Sequence, residues 1–326
     1  MEPMIAKPTD LPWGALVPLF ALAGIFVWNF LLEILRVPKS PSQAPFWTLL
    51  VGVFGMAYLI AYPEQVSTTA IHKMWIYDGM TRVASLIIFA CLTLVALVLP
   101  RDIRESGHVG EYFALLSAAA LGMVMLIGSN SLILAFLSLE LFSLALYLLC
   151  IFEPAKSVSQ ESGLKYFISS SLASAIILYG IALIYGATGS TWLPEISARV
   201  GQGGILLMVG GALLASGLAF KIAAVPFHVW SPDVYQGAPT SVTAFMSVAT
   251  KTAALVALFR FFPLTLGTAA GPSDLQRIHW WIILWSLAIL SMLMGNLMAL
   301  SQSNLKRMLA SAIILYGIAL IYGATG

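Results

Sequence analysis

The sequence predicts an all-α polytopic membrane protein with about ten transmembrane helices. Of its 326 residues, 60% are hydrophobic and 9% are charged, and its mean hydropathy is +0.93. Soluble domains carry about 25% charged residues, so a globular protein with a large core is excluded. Apolar runs recur along the whole chain and are too long and continuous for barrel strands. Because backbone groups must be satisfied inside lipid, these runs are predicted to be helices.

The runs are long enough to cross about 30 Å of hydrocarbon. The first is too long for the apolar core of a signal peptide and lacks a small-residue cleavage site, so it is predicted to remain as a span. The predicted spans are 12–35, 46–62, 77–99, 111–128, 130–152, 164–187, 203–226, 241–262, 280–302 and 305–324.

The basic residues of the loops orient the predicted bundle. Eight fall after odd-numbered spans and five on the other side, so the positive-inside rule places the N-terminus outside the cytoplasm. The eight are Arg36, Lys39, Arg101, Arg104, Lys156, Lys165, Lys306 and Arg307, and the five are Lys7, Lys73, Arg199, Arg260 and Arg277.

Two acid–base pairs lie at predicted span ends. Asp78 and Arg82 are four residues apart at the start of the third span, and Glu33 and Arg36 close the first. Both pairs are interpreted as interfacial ion pairs that anchor a helix end, with a role in transport as the alternative.

Glu140 lies near the middle of the fifth span, too deep for its short side chain to reach the interface. Burial favours its protonated form, whereas a neighbouring cation favours the carboxylate. A carboxyl between these two influences is suited to taking up and releasing protons. The alternative, a static buried salt bridge, stays open at this point.

Lys221 and Lys251 are two further charges in apolar surroundings, and each costs about 2.5–3.5 kcal/mol on insertion scales. Pro226 follows Lys221 by about one turn. Because proline has no N–H, the carbonyl of Ile222 loses its helical partner and the helix is predicted to break there. Irregular backbone at membrane depth requires burial in protein or a water-filled cavity, so the break predicts local hydration.

Three more ionisable residues are candidates for the same site. His228 titrates near neutral pH and, with Asp233, follows the break; it is either a proton relay or half of a satisfied turn pair. Lys165 opens the sixth span and is interpreted as snorkelling to the surface, with a relay role as the alternative.

Lys251 lies about three turns into the eighth span. Glu140, Lys221 and Lys251 therefore lie on three helices at similar predicted depth. A row of coupled ionisable groups is the minimum requirement for moving protons through an apolar interior.

Other site chemistries have no support in the sequence. Cys91 and Cys150 lie in apolar runs without a second ligand nearby, and the four histidines are scattered. Both cysteines are interpreted as small buried residues, and no metal, haem or iron–sulfur ligation is expected. The net charge of +2 argues against a nucleic-acid partner.

Four segments together resemble the subunit N family of respiratory NADH:quinone oxidoreductase, or complex I. They are SLELFSLALYLL at 138–149, SGLKYF at 162–167, VPFHVWSPDVYQGAP at 225–239 and GNLMALSQSNLKRML at 295–309. The combination is specific, and DVYQGAP favours subunit N over its sister antiporter-like subunits.

The resemblance implies two inverted five-helix repeats, each with a broken helix, and a proton path driven by quinone reduction elsewhere in the complex. It implies that Glu140 tunes Lys221, that Lys221 exchanges protons with a half-channel, and that Lys251 passes charge along the row. It further implies that the chain is a translocase subunit without redox chemistry of its own. Flavin, iron–sulfur clusters and quinone are expected in other subunits. The implied partners are other complex I membrane subunits and the lipid bilayer, in the inner (plasma) membrane of a bacterium.

The C-terminal segment departs from the family pattern. Residues 309–326 are identical to residues 172–189. We therefore expect three parts: N-terminal spans (1–108), a first antiporter-like repeat (109–262), and an incomplete second repeat (263–326). Two alternatives to the complex I function are a cation/proton antiporter subunit, which would use the same lysines, and a non-transporting membrane fragment.

Overall fold

The computed structural model describes residues 13–35, 43–62, 68–70, 74–98, 101–153, 155–266 and 280–311. The helices are α1 Trp13–Ile34, α2 Gln43–Ala61, α3 Gly79–Leu97, α4 Arg101–Ser106, α5 Val109–Ile127, α6 Leu132–Cys150, α7 Ser157–Thr188, α8 Leu193–Arg199, α9 Gly204–Ile222, α10 Ser231–Gly237, α11 Thr240–Phe245, α12 Lys251–Leu266 and α13 Trp280–Leu300. A last helix, α14, is described over 305–311.

Within the described ranges, eight helices are long and apolar enough to cross a membrane. They are α1, α2, α3, α5, α6, α7, α9 and the continuous helix at 240–261. The chain is thus a multi-pass helical membrane protein, as the sequence predicts. The ninth predicted span contains α13, and the tenth begins with α14. Most of the duplicated C-terminal segment, from residue 312 onward, lies outside the described residues.

The chain divides into two compact units, Met1–Phe142 and Ser143–Gly326. The three-part organisation drawn from the sequence stays a prediction.

A short antiparallel hairpin in the first unit joins β1, Thr68–Ala70, to β2, Trp75–Tyr77. This hairpin could not be predicted from the sequence, because three-residue strands carry too little alternation to be recognised. Trp75 is fully buried, and its indole N–H donates to the carbonyl of Val124 at 3.5 Å. The hairpin is therefore attached to α5.

Charged side chains in the first unit satisfy helix ends. Asp78 caps α3 by accepting from the backbone N–H of Thr81 at 2.8 Å. Arg82 donates through Nε to the carbonyl of Leu59, near the end of α2, at 2.8 Å. These contacts connect the start of α3 to the end of α2, so both charges are used in anchoring helix ends.

Glu33, near the end of α1, contacts a different partner from the one the sequence suggested. Its Oε1 lies 3.4 Å from Nδ1 of His108, which immediately precedes α5. Arg36 lies outside the described residues. The contact thus joins α1 to the start of α5.

Close packing of α7 against α9 positions the site in the second unit. A Cβ on Gly180 would lie 2.8 Å from the carbonyl oxygen of Gly210, and a Cβ on Gly210 would lie 2.8 Å from that of Gly180. Two glycines therefore let the helix backbones touch, as small residues do in membrane bundles.

The structure breaks α9 where the sequence predicts. The helix ends at Ile222, and Ala223 adopts a left-handed conformation with φ of 62°. The backbone N–H of Ala224 then donates to the carbonyl of Ala219 at 2.9 Å. The chain turns through Pro226 into α10 and α11, and a π-helical turn, Met246–Thr250, immediately precedes α12.

Candidate functional site

Lys221 lies in the last turn of α9 and is 2% exposed. Its ammonium donates to the hydroxyl of Ser143 on α6 at 2.7 Å and to that of Ser170 on α7 at 2.5 Å. The ammonium also lies over the ring of Tyr166, 6.0 Å from the centroid, where the π face favours a cation. Side chains from two other helices thus support a buried positive charge.

Lys251, the first residue of α12, is 4% exposed. Its ammonium donates to the carbonyl of Ile222 at 2.6 Å and lies 6.0 Å from the ring centroid of Tyr235. The carbonyl of Ile222 is the one that Pro226 deprives of a helical donor. A lysine from another helix therefore supplies the hydrogen bond that the broken helix lacks.

Three aromatic rings, which we call the aromatic bridge, join the surroundings of the two lysines. They are Tyr166, Trp230 and Tyr235. Trp230 stacks on Tyr166 at 4.9 Å between centroids and meets Tyr235 edge-on at 6.2 Å. The indole N–H of Trp230 donates to the carbonyl of Phe220 at 3.0 Å. The bridge is therefore fixed to the same end of α9 that carries Lys221.

Glu140 belongs to the first unit, whereas both lysines belong to the second. Its Oε1 is buried and has no hydrogen-bond partner among the described residues. Helix geometry places Glu140 one turn before Ser143 along α6, which runs across the boundary between the units. An unpartnered buried carboxyl oxygen is costly and marks Glu140 for a role beyond packing.

His228, in the turn after the break, is 8% exposed. Its Nε2 lies 3.1 Å from the sulfur of Met298 on α13. The structure thus places His228 against a thioether.

Lys165 and Asp233 meet in a partly exposed ion-pair cluster. The Lys165 ammonium lies 2.9 Å from Asp233 and 2.7 Å from Glu161, and Arg307 lies 2.7 Å from Asp233. The hydrogen bond from Lys165 is the main cause that lowers the pKa of Asp233, with Arg307 adding to it. The Lys165 side chain is 47% exposed, so this cluster is in contact with solvent, whereas Lys221 and Lys251 are buried.

Four residues of the site could not be predicted from the sequence: Ser143, Ser170, Tyr166 and Tyr235. Single hydroxyls and aromatic residues are common in apolar helices, so none carries a motif. The position of Ser143, three residues after Glu140, was the one available signal, because residues at this spacing share a helix face. Among the described residues, no group of three or more His, Cys, Asp or Glu side chains forms a potential metal site.

The described helices, with the break after α9, define a multi-pass membrane protein. A family model described as "NADH:quinone oxidoreductase/Mrp antiporter, TM" matches residues 129–326. Because this match covers more than half of the chain, the chain belongs to that family.

Similar curated proteins are bacterial subunits named "NADH-quinone oxidoreductase subunit N". The Magnetococcus marinus protein is 48% identical over 221 residues, which are 67% of this chain and 44% of that protein. Subunit N 2 of Chloroherpeton thalassium is 34% identical over 306 residues, 91% of this chain and 59% of that protein. The resemblance to subunit N is confirmed, and the chain spans less than two thirds of the length of these relatives.

Solved structures with a similar fold are membrane complexes. A chain of respiratory complex I from Thermus thermophilus has a TM-score of 0.76 and 34% identity, covering 92% of this chain and 62% of that chain. A chain of an archaeal membrane-bound sulfane sulfur reductase has a TM-score of 0.78 and 22% identity, covering 93% and 63%. The second likeness shows the fold alone.

Proposed function

We propose that the chain is a proton-translocating membrane subunit of NADH:quinone oxidoreductase. The main support for this proposal is the pair of buried lysines at the break of α9. Neutral groups are among the partners of both ammoniums: Lys221 donates to two hydroxyls, and Lys251 donates to a backbone carbonyl. Hydroxyl and carbonyl partners stay uncharged whether or not the lysine carries its proton, which suits a lysine that titrates during turnover.

The proposed path uses the residues drawn from the sequence. Glu140 tunes the charge of Lys221, Lys221 exchanges protons with a half-channel, and Lys251 passes the charge onward. His228 is a candidate relay beside the break, and Lys165, in its exposed cluster, is a weaker candidate at the entrance. The family assignment and the burial of both lysines support this order of roles.

The proposed setting is a large assembly in the plasma membrane of a bacterium, with the N-terminus outside the cytoplasm. Quinone reduction elsewhere in the assembly would drive the protons, and flavin, iron–sulfur clusters and quinone would reside in other subunits. The relatives named as subunit N and the similar chain in a respiratory complex support this setting.

The experiment compares Lys221→Ala and Glu140→Ala in an otherwise complete complex. Proton pumping per quinone reduced should fall in both variants. Ser216→Ala is a matched control on α9, because its hydroxyl donates to the carbonyl of Leu213 within the same helix. Unchanged pumping in both test variants would overturn the assigned roles.

A second candidate, a subunit of a cation/proton antiporter, is favoured by the family description, which includes Mrp antiporters. Copurification separates the two functions, because the first requires partners that contain flavin and iron–sulfur clusters. The third possibility, a non-transporting fragment, is contradicted if reconstituted proton flux is lost in Lys251→Ala.

A further inference from the structure

We propose that Ser143 and Ser170 form a two-hydroxyl seat that keeps Lys221 hydrogen-bonded in both of its protonation states. This inference rests on the proposed function, because it concerns the lysine that exchanges protons there. Both serines are fully buried, and each comes from a different helix packed around the end of α9. Their oxygens lie 2.7 Å and 2.5 Å from the ammonium nitrogen.

The hydroxyl group of serine can act both as a hydrogen-bond donor and as an acceptor. A hydroxyl carries one rotatable O–H donor and two acceptor lone pairs. Both hydroxyls accept from Lys221 when it is an ammonium. When Lys221 is a neutral amine, one hydroxyl rotates and donates to its lone pair, while the other continues to accept. Carboxylates cannot do this, since they only accept and would hold the lysine in its charged form.

The seat therefore positions Lys221 without fixing its charge. A lysine that lost its hydrogen bonds on deprotonation would be free to change rotamer, and the distance over which a proton moves would change with it. With two hydroxyls in place, the nitrogen stays at the end of α9 through the cycle. Ser143 and Ser170 are in this sense positioning residues for the proton transfer.

Three other titratable residues bear on the pH response that this proposal invokes. Tyr166 on α7 lies under the ammonium, Lys251 on α12 is bonded to the carbonyl next to Lys221, and Glu140 lies one turn before Ser143 on α6. The serine variants leave all three in place. A change in pH response on removing the hydroxyls therefore reports on the seat.

The test is the double variant Ser143→Ala/Ser170→Ala in the complete reconstituted complex. Removing two acceptors disfavours the ammonium, so the alkaline limit of proton pumping should move to lower pH by about one unit or more. Quinone reduction and pumping are measured together across the active pH range. Each single variant should show a smaller displacement in the same direction, and Ser170→Thr, which keeps a hydroxyl, should restore the original profile.

Two matched controls remove hydroxyls that bond within their own helices. Ser138→Ala on α6 removes a hydroxyl that donates to the carbonyl of Leu134, and Ser169→Ala on α7 removes one that donates to the carbonyl of Lys165. Both controls should leave the pH profile unchanged.

The proposal is overturned if both single variants keep the original pH profile, or if pumping falls equally at every pH, since a purely structural role would produce the latter. The single variants decide the question if the double variant does not assemble. Failure of the seat is distinct from failure of the proposed function. Unchanged pumping in both Lys221→Ala and Glu140→Ala would overturn the roles assigned under the proposed function, whereas loss of pumping in Lys221→Ala with unchanged serine variants overturns the seat alone.

Discussion

The ammonium of Lys251 donates to the carbonyl oxygen of Ile222, at a distance of 2.6 Å. Ile222 is the last residue of α9 and directly follows Lys221. The carbonyl end of a helix carries partial negative charge, which favours nearby cations. Lys251 is therefore stabilised by the end of α9, and the break in α9 supplies part of its electrostatic environment.

Lys251→Met should loosen the end of α9. The substitution keeps an apolar stem but removes the donor to the buried carbonyl of Ile222, at a cost of about 1–3 kcal/mol. Amide hydrogen exchange at 219–225, followed by mass spectrometry on the assembled complex, should become faster. The control is Thr252→Ala, whose hydroxyl bonds to Val248 in its own helix. Equal exchange in Lys251→Met and the unaltered protein would contradict the capping role.

Gly210→Ala should destabilise the packing of α7 on α9. Its Cβ would lie 2.8 Å from the backbone carbonyl of Gly180, which cannot rotate away. Overpacking of this kind costs about 1–3 kcal/mol, and the chain should denature at a lower temperature in detergent. Gly186→Ala is the matched control on α7, because the nearest atom to its Cβ is 3.5 Å away. Equal denaturation temperatures for the two variants would show that the backbones do not touch.

Substitutions of Tyr235 distinguish the contribution of its ring to stability from the contribution of its hydroxyl. The ring is fully buried, and the hydroxyl has no hydrogen-bond partner among the described residues. Tyr235→Phe should therefore leave thermal stability within about 1 kcal/mol of the original, whereas Tyr235→Ala should cost about 3–5 kcal/mol by opening a cavity. A loss of stability in Tyr235→Phe as large as in Tyr235→Ala would mean that the hydroxyl is bonded.

The ion pairs of Asp233 should make the stability of the folded protein sensitive to acid. Its pKa is lowered below the ordinary value of 3.8 in the folded protein, mainly by the hydrogen bond from Lys165. Its contribution to stability is therefore fully present above that ordinary value and is lost as the pH falls through the lowered pKa. Because the cluster is partly exposed, the effect should be about 1 kcal/mol or less.

Denaturation temperatures measured against pH check the Asp233 prediction. Asp233→Asn should lower stability at neutral pH and flatten the loss at acid pH. The control is Glu195→Gln, on α8 outside this cluster. An unchanged acid limb in Asp233→Asn would refute the prediction.

Much of the bundle follows from the sequence, because apolar length and the chemistry of proline act locally. The break after Ile222 is an example, since Pro226 removes a donor at a fixed spacing. The partners of Lys221 and Lys251 could not be predicted, because Ser143, Ser170 and the carbonyl of Ile222 come together through packing of separate helices. The hairpin and the π-helical turn before Lys251 also carry no strong local signal.

The aromatic bridge also bears on how the two lysines influence each other. Tyr166 and Tyr235 each lie beneath one ammonium, and Trp230 contacts both rings. Rings screen charge far less than water does, so a proton on one lysine raises the free energy of a proton on the other more than it would across a hydrated gap. We therefore expect the charge of one lysine to influence the charge of the other. In the proposed function, this influence would let proton uptake by one lysine promote proton release from the other.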